Sequence, residues 1–222
     1  MPASLKTQTK PTLQIYLTSS VHLTAADIAK KIGRAKTKKL LYIYTACENK
    51  LGRPWQIRDK KALLKAGFTL IDYTLTGQTP AAIKKAIASA DGFYFTGGNT
   101  FYLLQQIQLT KSASIIRNAV KAGKIYIGTS AGSIVAGSNI YPSYNLDNVK
   151  AAPKLKGYKG LGLTDLAILP HWGSKNFKAE YLGSKIAHNY NTKFKYLPLN
   201  DYQYLKIQDD GYRVIDVRKR GL

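Results

Sequence analysis

The chain has 222 residues and a formal net charge of +22, because 34 Lys and Arg residues outnumber 12 Asp and Glu residues. Hydrophobic residues make up 45% of the chain, which argues against disorder and is enough for one sizeable core. A single cysteine, Cys47, excludes an internal disulfide framework and a multi-cysteine metal site. The three histidines form no compact metal pattern, so we expect neither a metal nor a cofactor.

Strands and helices alternate along the first part of the chain. In chain order, strands are predicted at 13–17, 39–45, 68–72, 92–95 and 124–127, with helices at 24–32, 58–66, 79–90, 99–108 and 112–122. This alternation favours an α/β fold with a parallel sheet covered on both faces. Residues 138–160 are rich in Pro, Gly, Asn and Lys and are typical of a surface excursion. A strand at 166–169 and a hairpin of 204–207 with 212–217 complete one predicted domain, residues 1–222.

The positive charge raises the question of a nucleic-acid partner. The lysines are spread along the chain, and no RNP-type sequence, zinc finger or basic zipper is present, so we expect no dedicated nucleic-acid binding. The positive electrostatic field of the protein would equally attract an acidic small substrate. No apolar run reaches the roughly 18 residues of a membrane helix, and residues 1–11 do not resemble a secretory signal. We therefore expect a cytoplasmic protein with no membrane partner, as a monomer or homodimer.

The segment Gly128-Thr-Ser-Ala-Gly132 matches G-x-S-x-G between a predicted strand and a helix-compatible run. A serine on such a turn is exposed to substrate, and the next backbone N–H, that of Ala131, points toward a developing oxyanion. The motif is short, and a glycine-rich turn with an incidental serine is the competing interpretation. Its position after a strand favours Ser130 as a nucleophile.

A nucleophilic serine needs a base and an orienting acid. His171 follows a predicted strand end, where open α/β proteins place chemistry, whereas His22 and His188 lie in other settings. Between Ser130 and His171 the carboxylates are Asp147 and Asp165. Asp165 starts the strand that leads to His171, which puts it roughly 20 Å away at about 3.3 Å per residue. We therefore predict Asp147, in the surface excursion, as the orienting acid.

A second glycine turn, Thr96-Gly97-Gly98-Asn99, follows the fourth predicted strand. Its backbone N–H groups can supply another oxyanion donor, although a plain strand-to-helix turn is the alternative. The spacing lacks G-x-G-x-x-G, which disfavours a dinucleotide site. We predict Gly97 and Gly98 as oxyanion donors beside Ala131, and Asn99 as a substrate-binding residue.

Several segments together resemble peptidase family S51, which includes the aspartyl dipeptidase peptidase E. They are residues 95–104 (FTGGNTFYLL), 128–132 (GTSAG), 169–171 (LPH), 17–20 (LTSS), 160–165 (GLGLTD) and 197–203 (LPLNDYQ). The resemblance spans nearly the whole chain. It implies a three-layer α/β/α sandwich related to flavodoxin-like and class I glutamine amidotransferase folds. It also implies a serine exopeptidase acting on short peptides, in peptidase E after an N-terminal aspartate.

The resemblance transfers the nucleophile to Ser130, the base to His171, and the oxyanion donors to the backbone of Gly97 or Gly98 and of Ala131. Many relatives carry acidic residues soon after the G-x-S-x-G turn, where this chain has Asn139 and Tyr141. This departure from the family pattern bears on which residue is the orienting acid and on which substrate is cleaved. Two other functions stay open: an α/β-hydrolase-type esterase, and an amidotransferase-like binding domain with an idle serine.

Overall fold

A mostly parallel sheet forms the centre of the computed structural model, which describes residues 12–33, 38–50, 53–144, 147–191, 193–209 and 211–218. The strands in this part of the chain are β1 (Ile15–Thr18), β2 (Lys39–Ile43), β3 (Thr69–Tyr73), β4 (Gly92–Phe95), β5 (Ile125–Thr129), β6 (Leu166–Leu169), β7 (Lys195–Pro198), β8 (Gln203–Gln208) and β9 (Gly211–Asp216). The main sheet has the order β3-β2-β4-β5-β1-β8-β9, and its first five strands are parallel. Strands β8 and β9 add an antiparallel hairpin, while β6 and β7 pair separately in parallel.

Helices cover both faces of the sheet, as the predicted sandwich requires. They are α1 (Val21–Ile32), α2 (Pro54–Lys65), α3 (Pro80–Ala88), α4 (Thr100–Leu109), α5 (Ala113–Lys121), α6 (Ala131–Ala136), α7 (Lys178–Glu180) and α8 (Ile186–Asn189). Helices α1 and α2 bury apolar residues against one face, and α3 to α6 against the other. A π-helical turn, Tyr181–Lys185, joins α7 to α8 without a break. The predicted α/β fold class is confirmed.

The three central strands end at one edge of the sheet. All residues of β1, β4 and β5 are buried, which is typical of parallel strands covered on both faces. Gly128 of β5 lies opposite Leu17 of β1 and Phe95 of β4, so the three strands reach this edge in register. The turns that follow them therefore converge there, where open α/β sheets bind their ligands.

Two helices begin earlier than predicted. Helix α1 starts at Val21, and Thr24, the predicted first residue, lies inside it with its hydroxyl 3.1 Å from that of Thr18. Helix α2 starts at Pro54, because proline is well tolerated in the first turn of a helix. The predicted start at Thr79 is confirmed, since its side chain accepts a hydrogen bond from the backbone N–H of Ala82.

Strand β7 was not predicted from the sequence. It is four residues long, partly exposed, and ends at Pro198, so its own residues carry little strand signal. The extended conformation of these residues is instead stabilised by parallel pairing with β6. The predicted hairpin near the end of the chain is confirmed as β8 and β9. No helix in the described ranges is long and apolar enough to cross a membrane.

Candidate active site

Ser130 occupies a strained turn between β5 and α6. Its backbone has φ 47° and ψ −108°, a conformation that residues other than glycine rarely adopt. Hydrogen bonds hold the turn: the N–H of Ser130 donates to the carbonyl of Thr18, and the N–H groups of Ser133 and Ile134 donate to the carbonyl of Ser130, each at 2.9 Å. These hydrogen bonds hold the backbone of Ser130 in its strained conformation, as expected for the strand-to-helix turn called a nucleophile elbow.

The two glycines of the motif are needed for close backbone packing. A Cβ atom on Gly132 would lie 2.3 Å from the carbonyl oxygen of Phe95 at the end of β4. A Cβ atom on Gly128 would lie 2.5 Å from the carbonyl oxygen of Gly132. Neither space admits a larger residue without backbone movement, so the G-x-S-x-G spacing follows from how α6 packs on the sheet.

His171 lies beside Ser130 as predicted. It follows β6, and its backbone also has a positive φ, 62°. Its Nε2 atom is 3.0 Å from Oγ of Ser130, within hydrogen-bond reach. The backbone N–H of His171 donates a hydrogen bond to the Ser19 hydroxyl, and the ring of Phe177 stacks on the imidazole with centroids 4.4 Å apart. These contacts fix both the position and the plane of the imidazole.

The acid that contacts His171 is Asp201, in the turn between β7 and β8. Its Oδ1 atom is 2.6 Å from Nδ1 of His171 and also accepts a hydrogen bond from the Ser20 hydroxyl at 2.9 Å. Burial acts to raise the pKa of Asp201, but the hydrogen bond and the attraction from His171 outweigh it, and the net pKa lies below the usual value. The carboxylate is therefore held ionised beside the imidazole.

The prediction that Asp147 orients His171 is wrong. The Oδ2 atom of Asp147 instead accepts hydrogen bonds from the N–H and the hydroxyl of Thr100, at 2.9 and 2.6 Å. Both ring nitrogens of His171 are already within hydrogen-bond distance of other groups, Asp201 and Ser130. Asp147 lies between Ser130 and His171 in the chain, whereas the carboxylate that contacts the imidazole, Asp201, follows His171 by 30 residues.

A sequence signal for Asp201 was available. It lies in the segment 197–203, which shares the resemblance to the family. Ser20, its second partner, lies in another such segment, 17–20. Asp165, which the sequence analysis rejects as the orienting acid, forms an exposed ion pair with Lys195 at 2.6 Å.

Two of the three residues predicted as oxyanion donors, Ala131 and Gly97, lie beside Ser130. Ala131 is the first residue of α6, where backbone N–H groups have no partner within the helix. Gly97 is close enough that a Cβ atom on it would lie 3.3 Å from Cβ of Ser130. Gly98 has φ 136°, and a Cβ atom there would lie 2.2 Å from the carbonyl oxygen of Ala46. The turn brings Gly97 beside Ser130, and its oxyanion role stays a prediction.

Asn99 has a structural role in this turn. Its Oδ1 atom accepts from the N–H of Tyr102 and caps α4, and its Nδ2 atom donates to the carbonyl of Asn148. The side chain therefore links the start of α4 to the surface excursion, and its contact with substrate stays a prediction. Within the described ranges, no group of three or more His, Cys, Asp or Glu residues could hold a metal ion.

Comparisons with known proteins agree with this architecture. The family model for peptidase family S51 matches residues 16–215. An uncharacterized peptidase of Listeria monocytogenes, Lmo0363, is 30% identical over 92% of this chain and 98% of its own length. Peptidase E of Shewanella amazonensis is 36% identical over a shorter stretch, 40% of this chain and 36% of its own length.

A solved structure has the same fold. The crystal structure of a protein provisionally assigned as peptidase E from Listeria monocytogenes EGD-e superimposes with a TM-score of 0.84 at 26% identity, covering 93% of this chain and all of that one. The match of the family model over most of the chain includes the elbow, the histidine and Asp201. The chain therefore belongs to peptidase family S51.

Proposed function

We propose that the protein is a serine exopeptidase that hydrolyses short peptides, preferably dipeptides with an acidic N-terminal residue, through an acyl-enzyme on Ser130. The observation that carries the proposal is the continuous line from Oγ of Ser130 through the imidazole of His171 to Asp201, with distances of 3.0 and 2.6 Å. This is the nucleophile, base and orienting acid of a serine hydrolase, recognised by geometry rather than by chain order.

The first half of the reaction forms the acyl-enzyme. Oγ of Ser130 attacks the carbonyl carbon of the peptide bond while its proton passes to Nε2 of His171. Asp201 accepts the hydrogen bond from Nδ1–H and stabilises the imidazolium that forms. The negative charge that develops on the carbonyl oxygen is directed toward the N–H of Ala131 and a backbone N–H of the Gly97-Gly98 turn.

The second half releases the products. The imidazolium of His171 donates its proton to the leaving amine, which departs as the C-terminal part of the peptide. A water molecule then attacks the ester carbon, with His171 accepting its proton, and the N-terminal residue leaves as a free acid. Ser130 recovers its proton from His171, so the enzyme is unchanged over the cycle.

Two considerations support an acidic N-terminal residue. Relatives named peptidase E and the family resemblance suggest an aspartyl side chain. The net charge of +22 favours the approach of anions, although such steering acts on association and is screened beyond about 8 Å at physiological salt. The field alone therefore cannot select one dipeptide over another, and a cation in the site is required.

A fluorophosphonate probe with a dipeptide panel tests the proposal. We expect Ser130 to be labelled and Asp-Leu to be hydrolysed faster than Leu-Leu, Lys-Leu or a short-chain ester. Ser130→Ala should abolish both labelling and turnover while the protein stays folded. Ester turnover without dipeptide turnover would indicate the esterase alternative. An unlabelled, inactive but folded wild-type protein would favour the binding-domain alternative.

A further inference from the structure

The end of β1 lies between the turns that carry the nucleophile and the acid. Strand β1 pairs in parallel with β5, which Ser130 follows, and antiparallel with β8, which Asp201 precedes. Thr18, the last residue of β1, lies opposite Thr129 on one side and Tyr204 on the other. The residues that follow β1 are therefore within reach of both turns.

Each residue of the segment 18–20, Thr-Ser-Ser, contacts one member of the triad. The threonine carbonyl accepts a hydrogen bond from the N–H of Ser130 at 2.9 Å. The hydroxyl of the first serine, which is buried, accepts one from the N–H of His171 at 3.1 Å. The hydroxyl of the second, Ser20, donates to Oδ1 of Asp201 at 2.9 Å. The first two contacts hold backbone, whereas the Ser20 hydroxyl holds the functional group itself.

Helix α1 does not account for the orientation of this hydroxyl. Ser20 occupies the N-cap position of α1, where serine is favoured because its oxygen can accept a hydrogen bond from an N–H of the first turn. The Ser20 side chain caps no N–H of α1, a helix that the structure describes throughout. It donates to Asp201 instead. The hydroxyl thus gives up the local contact that its position offers and makes one with the candidate active site.

One oxygen of Asp201 receives two donors. Its Oδ1 atom accepts from Ser20 at 2.9 Å and lies 2.6 Å from Nδ1 of His171. Because 29% of the Asp201 side chain is exposed, water competes for the carboxylate. Burial acts to raise the pKa of Asp201, but the contacts with His171 and then the hydrogen bond from Ser20 act to lower it, and the net pKa lies below the usual value. The Ser20 hydroxyl therefore favours both the position and the ionised form of the acid.

We propose that Ser20 is a positioning residue of the site, whose hydroxyl holds Oδ1 of Asp201 in line with Nδ1 of His171. The inference rests on the proposed function and assigns Ser20 no contact with substrate. Without the hydroxyl the carboxylate can turn toward water, and the imidazole loses a fixed acceptor for its Nδ1–H. The loss should therefore appear in kcat, while KM stays nearly unchanged.

The first experiment compares three variants in dipeptide hydrolysis and fluorophosphonate labelling. Ser20→Ala should lower kcat and the labelling rate by about 10-fold or more, as for loss of a hydrogen bond to a charged group. Ser20→Thr keeps the hydroxyl, and its extended backbone, with φ −137°, suits a β-branched residue, so it should retain most of the activity. Ser112→Ala is the control, because it removes a buried hydroxyl beyond the end of α4 that lies away from the glycine turn, and it should leave both rates unchanged.

A double-mutant comparison tests whether Ser20 acts through Asp201. In an Asp201→Ala background the hydroxyl has no carboxylate to hold, so adding Ser20→Ala should change the labelling rate by less than about twofold. Effects of the two substitutions that multiply would overturn the inference. So would Ser20→Ala with the kcat of the wild type, or with a raised KM alone.

The hydrogen bond between His171 and Asp201 gives a readout that needs no turnover. The proton that an imidazole nitrogen donates to a carboxylate in such a short contact resonates far downfield in proton NMR, and His171→Ala assigns it by its loss. Ser20→Ala should shift or broaden this resonance, whereas Ser112→Ala should not. A resonance that changes in Ser20→Ala, in a protein that hydrolyses no dipeptide, would support the inference and overturn the proposed function. Hydrolysis by the wild type with an unchanged resonance and unchanged kcat in Ser20→Ala would overturn the inference alone.

Discussion

Asp201 Oδ1 lies 2.6 Å from Nδ1 of His171 across a separation of 30 residues in the chain. The contact forms because the turn after β6 and the turn before β8 meet beside the end of β1. The N–H of Trp172 donates to the carbonyl of Leu199, and the N–H of Leu199 donates to the carbonyl of Leu169, which fixes the two turns against each other. Asp201 is therefore held beside the imidazole by backbone hydrogen bonds between the two turns as well as by its own hydrogen bonds.

Asp201→Asn should reduce kcat for dipeptide hydrolysis by about 10⁴-fold, because the imidazole loses the acceptor that selects its tautomer and stabilises its charged form. Asp147→Asn is the matched control, since it also removes one loop carboxylate. It should retain labelling of Ser130 by a fluorophosphonate. Equal loss of labelling in both variants would contradict the assignment of Asp201.

His171→Ala should reduce kcat by several orders of magnitude without unfolding the protein, because Ser130 then has no base to accept its proton. His188→Ala, on the outer side of the segment 178–189, should leave turnover nearly unchanged. Steady-state kinetics with Asp-Leu measure the loss of kcat, and circular dichroism checks that both variants are folded. Substantial activity in His171→Ala would mean that another group accepts the proton.

Gly132→Ala should lower both stability and activity. The added Cβ atom would lie 2.3 Å from the carbonyl oxygen of Phe95, so α6 must move away from β4 and carry Ser130 with it. Gly183→Ala is a suitable control, because a Cβ atom there meets nothing within 4 Å. Thermal unfolding and fluorophosphonate labelling should both decrease in the first variant alone. An unchanged melting temperature in Gly132→Ala would show that the elbow has room that the structure does not show.

Added salt should lower kcat/KM for Asp-Leu while kcat changes little, because screening weakens the attraction between a protein of net charge +22 and an anionic side chain during association. Asn-Leu should show a smaller salt effect. Measurements at about 20 mM and 500 mM NaCl suffice, since the Debye length falls several-fold between them. Equal salt dependence for both dipeptides would contradict the claim that the positive charge of the protein speeds the association of acidic substrates.

The stability of the unliganded enzyme should depend on the charge of Lys185. Burial lowers its pKa in the folded protein to about 7, below the ordinary value of 10.5, so the unfolded chain binds more protons between these two pH values. The stabilising effect of raising the pH is therefore absent below pH 7 and grows between pH 7 and pH 10.5. Relative to Lys185→Met, the free energy of unfolding of the wild type should increase from pH 6 to pH 9. Urea unfolding at these two pH values checks it, and parallel behaviour of the two proteins would contradict the lowered pKa.

The order of residues alone predicts the alternation of strands and helices, a strand-to-helix turn at Ser130, and His171 as the histidine beside it. These predictions depend on local requirements: buried parallel strands are apolar throughout, and within the turn itself a Cβ atom on Gly128 would lie 2.5 Å from the carbonyl oxygen of Gly132. Each of these requirements acts within a few residues of chain, so it is visible in the order of residues. The family resemblance added the expected fold around them.

The identity of the carboxylate beside His171 and the burial of Lys185 follow from tertiary contacts instead. Asp147 and Asp201 are both loop aspartates, and 34 basic residues are alike in sequence. Asp201 reaches the imidazole because β8 pairs with β1 and brings the preceding turn to the catalytic edge, while Asp147 is bound by Thr100. Lys185 ends the π-helical turn and is buried together with Tyr181 and Asn189, four residues to either side. Both outcomes depend on pairing between distant segments, and no local pattern records it.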